Sequence, residues 1–364
     1  MHSAKIYNIA ILGCGKVAHL HAKAIENIPN ARLAGVWSRS SESANQFAAT
    51  YKTQSYQSVD ALITKEHVDL AIVCTPHPFH MEPAVEAAQC GANLLLEKPL
   101  SVSLTHSDQI IAACHQHGVE LGVVSQRRWY AAAKRVKAAI HDGKLGQPAL
   151  GVVTMLGWRD RAYYEADAWR GTWDMEGGGV LVNQAPHQLD LMLWYMGDVA
   201  EVYAVWRNLN HPYIEVEDTA LAILKFKNGA IGNIMVSNAQ KPGLYGKVHV
   251  HGTNGASVGV QTDGGAMFIA GMTSIAEPPV NDLWTVPGEE HLLKAWQRKD
   301  KRFFKTIDPT VHFIQLQIED FLQALQEKNK PAVDGMAGRK VVELFNAIYE
   351  SSRTNRPVTL PYLG

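Results

Sequence analysis

The 364-residue sequence has only four cysteines, Cys14, Cys74, Cys90 and Cys114, all within the first third of the chain and without CxxC spacing. A disulfide framework or a thiolate zinc site is therefore not expected, and the thiols read as free in a reducing cytosol. No stretch approaches the roughly 18 consecutive apolar residues of a membrane helix. The early apolar run Ile9 to Leu12 is too short for the core of a secretion signal, so the expected location is the cytoplasm. Charge of one sign is lacking too: Lys+Arg number 34 against Asp+Glu 35, a formal net charge of -1. With no dense basic run, nucleic acid and anionic membrane are excluded as principal partners. What is present is 46% hydrophobic and 19% charged, a globular composition with apolar material enough for two domains.

From Lys5 to Val124 short apolar β-rich runs alternate with helical patterns. Strands are expected at Ile6 to Leu12, Arg32 to Trp37, Leu70 to Cys74, Asn93 to Leu96 and Val119 to Val124. Their near-continuous apolarity is that of strands covered on both faces, so residues 1–124 are read as a doubly wound parallel sheet of the Rossmann type. Residues 125–364 change pattern. A helix is expected at Ala131 to His141, another at Val180 to Met196, and strands at Leu150 to Met155, Ala200 to Trp206, Thr219 to Phe226, Ala230 to Val236 and Lys247 to His251. Asn228-Gly229 marks a hairpin, and helices at His312 to Glu327 and Met336 to Ser351 close the chain. This half reads as an α/β domain with a large, mostly antiparallel open sheet.

Gly13-Cys14-Gly15-Lys16-Val17-Ala18 follows the first strand and opens the first helix, the context in which a GxGxxG/A pattern is informative. Gly13 allows the tight turn and Gly15 lets backbone approach a pyrophosphate. Ala18 permits close helix packing, and the helix N-terminus supplies N–H groups and partial positive charge. At the end of the second strand, where an acid would mark NAD, stand Ser38 and Arg39. They suit a 2′-phosphate, which favours NADP slightly over NAD, although Arg39 serves equally to stack on adenine.

Downstream, Lys98 stands on a proline-flanked turn after the fourth strand, where its ammonium can stabilise a forming alkoxide or pass a proton. His187, four residues after Asn183 and three before Asp190, shares one helical face with both, and its unperturbed pKa of about 6.5 suits proton transfer. The glycine triplet Gly177 to Gly179 would let a substrate or nicotinamide approach backbone. Singly, each has a plain structural explanation: a packed histidine, an exposed Glu97-Lys98 charge pair, a glycine loop. Jointly, behind a dinucleotide loop, they point to hydride transfer. His77 with His80, His115 with His117 and His249 with His251 lack a nearby acid or thiol set, so no catalytic metal is expected.

Glu97-Lys98-Pro99-Leu100, the stretch Gly177 to Asp190, the Thr75-Pro76-His77-Pro78-Phe79-His80 turn and Gly252-Thr253-Asn254-Gly255 together resemble the glucose-fructose oxidoreductase, inositol dehydrogenase and rhizopine-catabolism (Gfo/Idh/MocA) family across nearly the whole chain. The resemblance implies NAD(P)-linked oxidation or reduction of a ring carbinol in a sugar, glycoside or sugar derivative. It implies homodimers or homotetramers joined through the open face of the second sheet. The cofactor would be held by Gly13, Cys14, Gly15, Lys16, Val17, Ser38, Arg39, Thr75, Pro76, His77, His80, Glu97, Lys98 and Gln126. Lys98, His187 and Asn183 would be catalytic, serving one nicotinamide.

Substrate contacts are expected from Arg127, Tyr163, Trp169, Arg170, Asn183 and His187. Aromatic faces cover sugar rings and arginine reaches hydroxyls or anions, although the Trp158 to Trp173 loop serves equally as a subunit contact. Many relatives carry Asp where this chain has Asn183. Asn cannot titrate, so proton transfer falls to His187 and Lys98 while Asn183 orients. Asn-Gln at this place resembles members acting on hexosides or nucleotide-linked hexuronates, which implies oxidation at ring carbon 3. Two other readings stay open: an NAD-dependent glycosidase acting by transient oxidation, and a catalytically silent dinucleotide-binding regulator.

Overall fold

The structure is a computed structural model that describes residues 5–262 and 277–362. The chain separates into two compact units, residues 1–126 with 310–342 and residues 127–309 with 343–364. The division at 124/125 expected from the sequence leaves out this return: residues 310–342 group with the first unit. The reason is apolar burial. Val311, Ile314, Ile318, Phe321 and Leu322 join one buried cluster with Ile9, Ala18, Ile25 and Ile72.

In the first unit, β1 (Tyr7–Leu12), β2 (Ala31–Trp37), β3 (Gln54–Tyr56), β4 (Leu70–Val73), β5 (Asn93–Leu96) and β6 (Leu121–Val123) form a parallel sheet in the order β3-β2-β1-β4-β5-β6. This is the doubly wound order, whose strand carboxyl ends form a ligand crevice where the order reverses, at β1 and β4. β1 and β4 are buried along nearly their whole length, hence their apolar runs. β3 and the helix Val59–Glu66 are additional to the expected elements. β3 is three residues, Gln-Ser-Tyr, too short and polar for any periodicity to register.

The second unit holds an eight-stranded sheet, β13-β12-β11-β7-β10-β9-β8-β14. Its strands are β7 (Pro148–Leu156), β8 (Val199–Arg207), β9 (Thr219–Phe226), β10 (Ile231–Ser237), β11 (Gly246–Gly252), β12 (Ser257–Thr262), β13 (Val280–Trp284) and β14 (Val358–Thr359). All its pairings are antiparallel except β7 with β10. Asn228 and Gly229 form the β9–β10 turn, with Gly229 at φ 87° as that turn requires. On β8, β9 and β10 alternate residues are exposed: Tyr203, Val205, Leu221, Ile223, Ile231 and Met235. One face of this region is therefore open and apolar, while the intervening residues are buried.

The helix expected over Val180 to Met196 is two pieces, Val180–Asn183 and Pro186–Met196. Pro186 has no N–H to continue the first piece and instead starts the second, where a proline is well tolerated. Asn183 and His187 thus lie on either side of a break.

Candidate active site

The first glycine turn closes directly on β4. Gly13 has φ 102°, and a Cβ there would lie 2.7 Å from Thr75 N and 2.8 Å from the Cys74 carbonyl carbon. Only glycine fits both constraints. Gly15, the N-cap of the helix Lys16–Glu26, is different: nothing lies within 4 Å of its Cβ position. No side chain caps this helix, and no acid occupies its first turn. Backbone N–H groups at such an end suit a pyrophosphate. Burial pushes the Cys14 thiol up to about 12, so no thiolate opposes an anion there.

Neighbouring turns at the strand ends are tied together. Thr75 Oγ1 donates to the Phe79 carbonyl at 2.9 Å, and His80 lies with Nε2 2.8 Å from Thr75 O and Nδ1 3.3 Å from Leu100 O. His80 is fully buried, and burial draws its pKa down. It is a strut inside the Thr75 to His80 turn, which carries Pro76 and the largely buried His77. Arg39, exposed beyond β2, stacks its guanidinium 3.9 Å from the Phe79 ring centroid, a cation–π contact that holds it over the strand ends. Glu97 is buried rather than part of an exposed charge pair. Its Oε1 lies 2.8 Å from His21 Nε2, and its Oε2 accepts from the Lys98 N–H at 3.1 Å. Burial alone would raise this carboxyl, but the His21 hydrogen bond and the His21 and Lys98 charges outweigh it and hold it low. Lys98 is the second residue beyond β5 and is half-buried. Gln126 has a buried side-chain oxygen with no partner. An open helix end and an orphaned amide oxygen fit a dinucleotide, with Gly13 to Val17 facing its phosphates.

In the second unit the glycine triplet is packed by protein. A Cβ on Gly179 would overlap the Glu217 carbonyl oxygen, and one on Gly178 would overlap the Tyr349 hydroxyl. The Glu217 carboxylate accepts from the N–H groups of Gly179 at 2.9 Å and Leu181 at 3.0 Å and from the Tyr349 hydroxyl at 2.9 Å. Close approach is what these glycines provide, and at Gly178 and Gly179 the approaching groups are Tyr349 and Glu217. Beside them, Asn183 Nδ2 donates to Glu176 Oε1 and, at 3.2 Å, to the Tyr163 hydroxyl. Gln184 Nε2 donates to the same hydroxyl at 2.9 Å, and Gln184 Oε1 accepts from Asn238 at 2.9 Å. Glu176 Oε2 accepts from the Gly171 N–H at 2.6 Å. Burial raises both Glu176 and Glu217 from 4.5 to about 7.

The Trp158 to Trp173 loop folds around Tyr163. Arg170 stacks 4.0 Å from the Tyr163 ring, donates to the Tyr163 carbonyl at 3.0 Å and pairs with Asp167 at 3.0 Å, while Trp169 lies 5.2 Å from the Arg170 guanidinium. His187 is buried, with 8% exposure. Asp190 is taken by a bidentate pair with Arg128 at 2.8 and 2.5 Å. Arg127 donates to Thr262 at 3.0 Å. Of the residues expected to bind substrate, Tyr163, Arg170 and Asn183 are therefore tied into one network, with Trp169 at its edge. Sequence reasoning missed Glu176 and Glu217. An acid immediately before a glycine triplet was the available signal for Glu176; Glu217 is remote in sequence and had none. Among the described residues no group of three or more His, Cys, Asp or Glu side chains is placed to hold a metal ion. None of the described helices is long and apolar enough to cross a membrane.

Residues 7–125 match the oxidoreductase family model with an NAD-binding Rossmann fold, and residues 133–258 match the GFO/IDH/MocA C-terminal domain. The chain is 31% identical over 255 residues to the uncharacterized oxidoreductase YrbE of Bacillus subtilis, covering 68% of this chain and 72% of that protein. It is 27% identical over 252 residues to the myo-inositol 2-dehydrogenase of Thermotoga maritima, covering 68% and 73%. The WlbA dehydrogenase of Bordetella pertussis, solved in complex with NADH and UDP-GlcNAcA, superimposes with a TM-score of 0.87 at 27% identity over 100% of both chains.

Proposed function

This chain belongs to the GFO/IDH/MocA family of NAD-binding oxidoreductases, and on that premise we propose that it moves a hydride between a nicotinamide and a ring carbinol of a sugar or sugar derivative. The observation that carries the reading is the uncapped helix end at Gly15, open to a pyrophosphate, in a chain that also presents Lys98 and the Asn183–His187 segment. In our reading the first unit, residues 1–126 with 310–342, binds the cofactor, and the second, residues 127–309 with 343–364, binds substrate and joins subunits.

The nicotinamide supplies the hydride acceptor or donor; the chain supplies the rest. Lys98 and His187 take or return the hydroxyl proton and steady the alkoxide, since hydride cannot leave a carbinol carbon while its oxygen keeps the proton without leaving a high-energy cation. Asn183, which cannot titrate, orients the substrate. His80 and Glu97 hold the turns from which Thr75 and Lys98 project. Arg39, stacked on Phe79, suits a 2′-phosphate and adenine, so NADP is favoured slightly while NAD is accepted. The UDP-linked hexuronate bound by the Bordetella neighbour supports a hexuronate or hexoside substrate, with oxidation at ring carbon 3. The apolar residues exposed on β8, β9 and β10 support pairing of two copies through that face, in a homodimer or homotetramer.

The test is a panel of glucose, methyl glucoside, glucuronate, UDP-N-acetylglucosaminuronate and myo-inositol, each with NAD and NADP, read by reduced-cofactor absorbance. Turnover is expected with at least one hexoside or hexuronate. Lys98→Met should lower kcat on that compound by about 10²–10⁴-fold with cofactor binding kept. Release of free sugar from the glucoside without net cofactor turnover would favour the glycosidase, and no reaction with any compound would favour the silent regulator.

A further inference from the structure

The second unit contains a run of hydrogen bonds with one fixed direction, and Glu176 sets it. An ionised carboxylate only accepts, so the Asn183 side chain must turn its NH2 toward Glu176 Oε1. The second hydrogen of that NH2 goes to the Tyr163 hydroxyl at 3.2 Å. Gln184 approaches the same hydroxyl with its own NH2, because its oxygen is engaged by Asn238. Both Asn183 donors are thus committed inside the protein, and any further hydrogen bond made by this amide must be accepted by its Oδ1. Glu176 is itself held from the other side by the Gly171 N–H at 2.6 Å. It is 1% exposed and lies at the C-terminus of the helical turn Trp173–Glu176, so little freedom remains for it to release Asn183.

We propose that Glu176 is a positioning residue that fixes the amide of Asn183, so that Asn183 meets the substrate as a hydrogen-bond acceptor and selects a sugar hydroxyl that donates to it. This rests on the sugar oxidoreductase reading above. It also accounts for an asparagine at this place. An aspartate would set two carboxyls side by side in a buried site, where one must take up a proton because like charges at that range cannot both ionise. The groups acting on Glu176 include the Gly171 N–H and Asn183 as donors, the Arg170 charge, which favours ionisation, and the Glu217 carboxyl, which opposes it, and its charge is felt in turn by the phenols of Tyr163, Tyr164 and Tyr349. Burial outweighs the favourable contacts and lifts the carboxyl to about 7, so the accepting form predominates above neutrality.

The experiment is a double-substitution cycle on the full chain with NAD or NADP and whichever panel compound it oxidises fastest, at pH 8. Asn183→Asp should raise KM by about tenfold or more with a smaller change in kcat, since it pits two carboxyls against each other. Adding Glu176→Gln should recover most of that loss. The new amide takes the Gly171 N–H on its oxygen and donates its NH2 to the introduced carboxylate, restoring an unbroken direction. Glu176→Gln alone should raise KM, and more at pH 8 than at pH 6, where the parent carboxyl is largely protonated. NADH fluorescence titration verifies that each variant is folded and binds cofactor. If Glu176→Gln does not fold, Glu176→Asp replaces it: a shorter carboxylate should raise KM without removing the pH dependence. KM effects that add independently, or a KM unmoved by Glu176 substitution, would overturn the proposal while leaving the oxidoreductase reading intact. Absence of turnover with every panel compound would remove that reading and the proposal together.

Discussion

Two glycine-rich turns, one in each unit, use the same residue for opposite ends. At Gly15 the absence of a side chain leaves space: nothing stands near the Cβ position, and the helix end behind it is uncapped. At Gly179 the absence of a side chain is consumed by the protein, because the Glu217 carbonyl and carboxylate occupy that side of the chain. Gly13 resembles Gly179 in this respect, pressed against Thr75 and Cys74. A glycine in a functional motif therefore does not announce a ligand. What separates the cases is whether the vacated volume is open or filled.

The contrast breaks most visibly at Gly179. Gly179→Ala drives a methyl into backbone, and a loss of at least about 3 kcal/mol of folding free energy is expected from urea unfolding. A variant as stable as the parent would show that the wall beside Gly179 is not filled. The buried acids come next. The folded-state pKa values of Glu176 and Glu217 stand near 7, above the ordinary 4.5. The folded chain therefore holds those protons more tightly than the unfolded one. The associated stability is complete below about pH 4.5 and lost as pH rises through 7, on the order of 3 kcal/mol for each of the two groups. Urea midpoints should fall between pH 5 and 8, and Glu217→Gln should flatten that slope; a midpoint level over this range would contradict the assignment. Glu97 works in the other direction, since His21 and Lys98 hold its carboxyl low, and its contribution is lost only as pH falls below the ordinary carboxylate range.

Gly15→Ala gives the smallest change in the fold and sharpens the comparison from the opposite side. Its φ of -84° is ordinary and its surroundings are open, so stability should move by less than about 1 kcal/mol. NADH binding, followed by fluorescence, should weaken by about tenfold, because the added methyl stands where backbone must meet the pyrophosphate. Unchanged binding would move the phosphates elsewhere.

Most of the parallel sheet was legible because β1, β4, β5 and β6 are buried along nearly their whole length, so their apolar runs survive in any window. β3 and the helix Val59–Glu66 escaped because a polar three-residue strand has no periodicity to read. The break between Asn183 and His187 had a visible cause in Pro186, yet an apolar stretch running through it read as one helix. Glu97 looked like half of a surface charge pair until His21, 76 residues away in sequence, supplied the partner that makes its burial tolerable.

Short-range order was set by the chain itself. The alternation of apolar runs and turns, the glycines at left-handed turns such as Gly91, Gly118 and Gly229, and the phosphate loop between β1 and its helix all depend on neighbours within a few residues. Tertiary structure decided the rest: the grouping of residues 310–342 with the first unit, the pairing of Asp190 with Arg128, and the meeting of Glu176 with Asn183 and of Glu217 with Gly179 and Tyr349. These depend on which distant groups share a dry space, and there desolvation and hydrogen bonding, rather than residue spacing, determine whether a carboxyl is charged and which way an amide points.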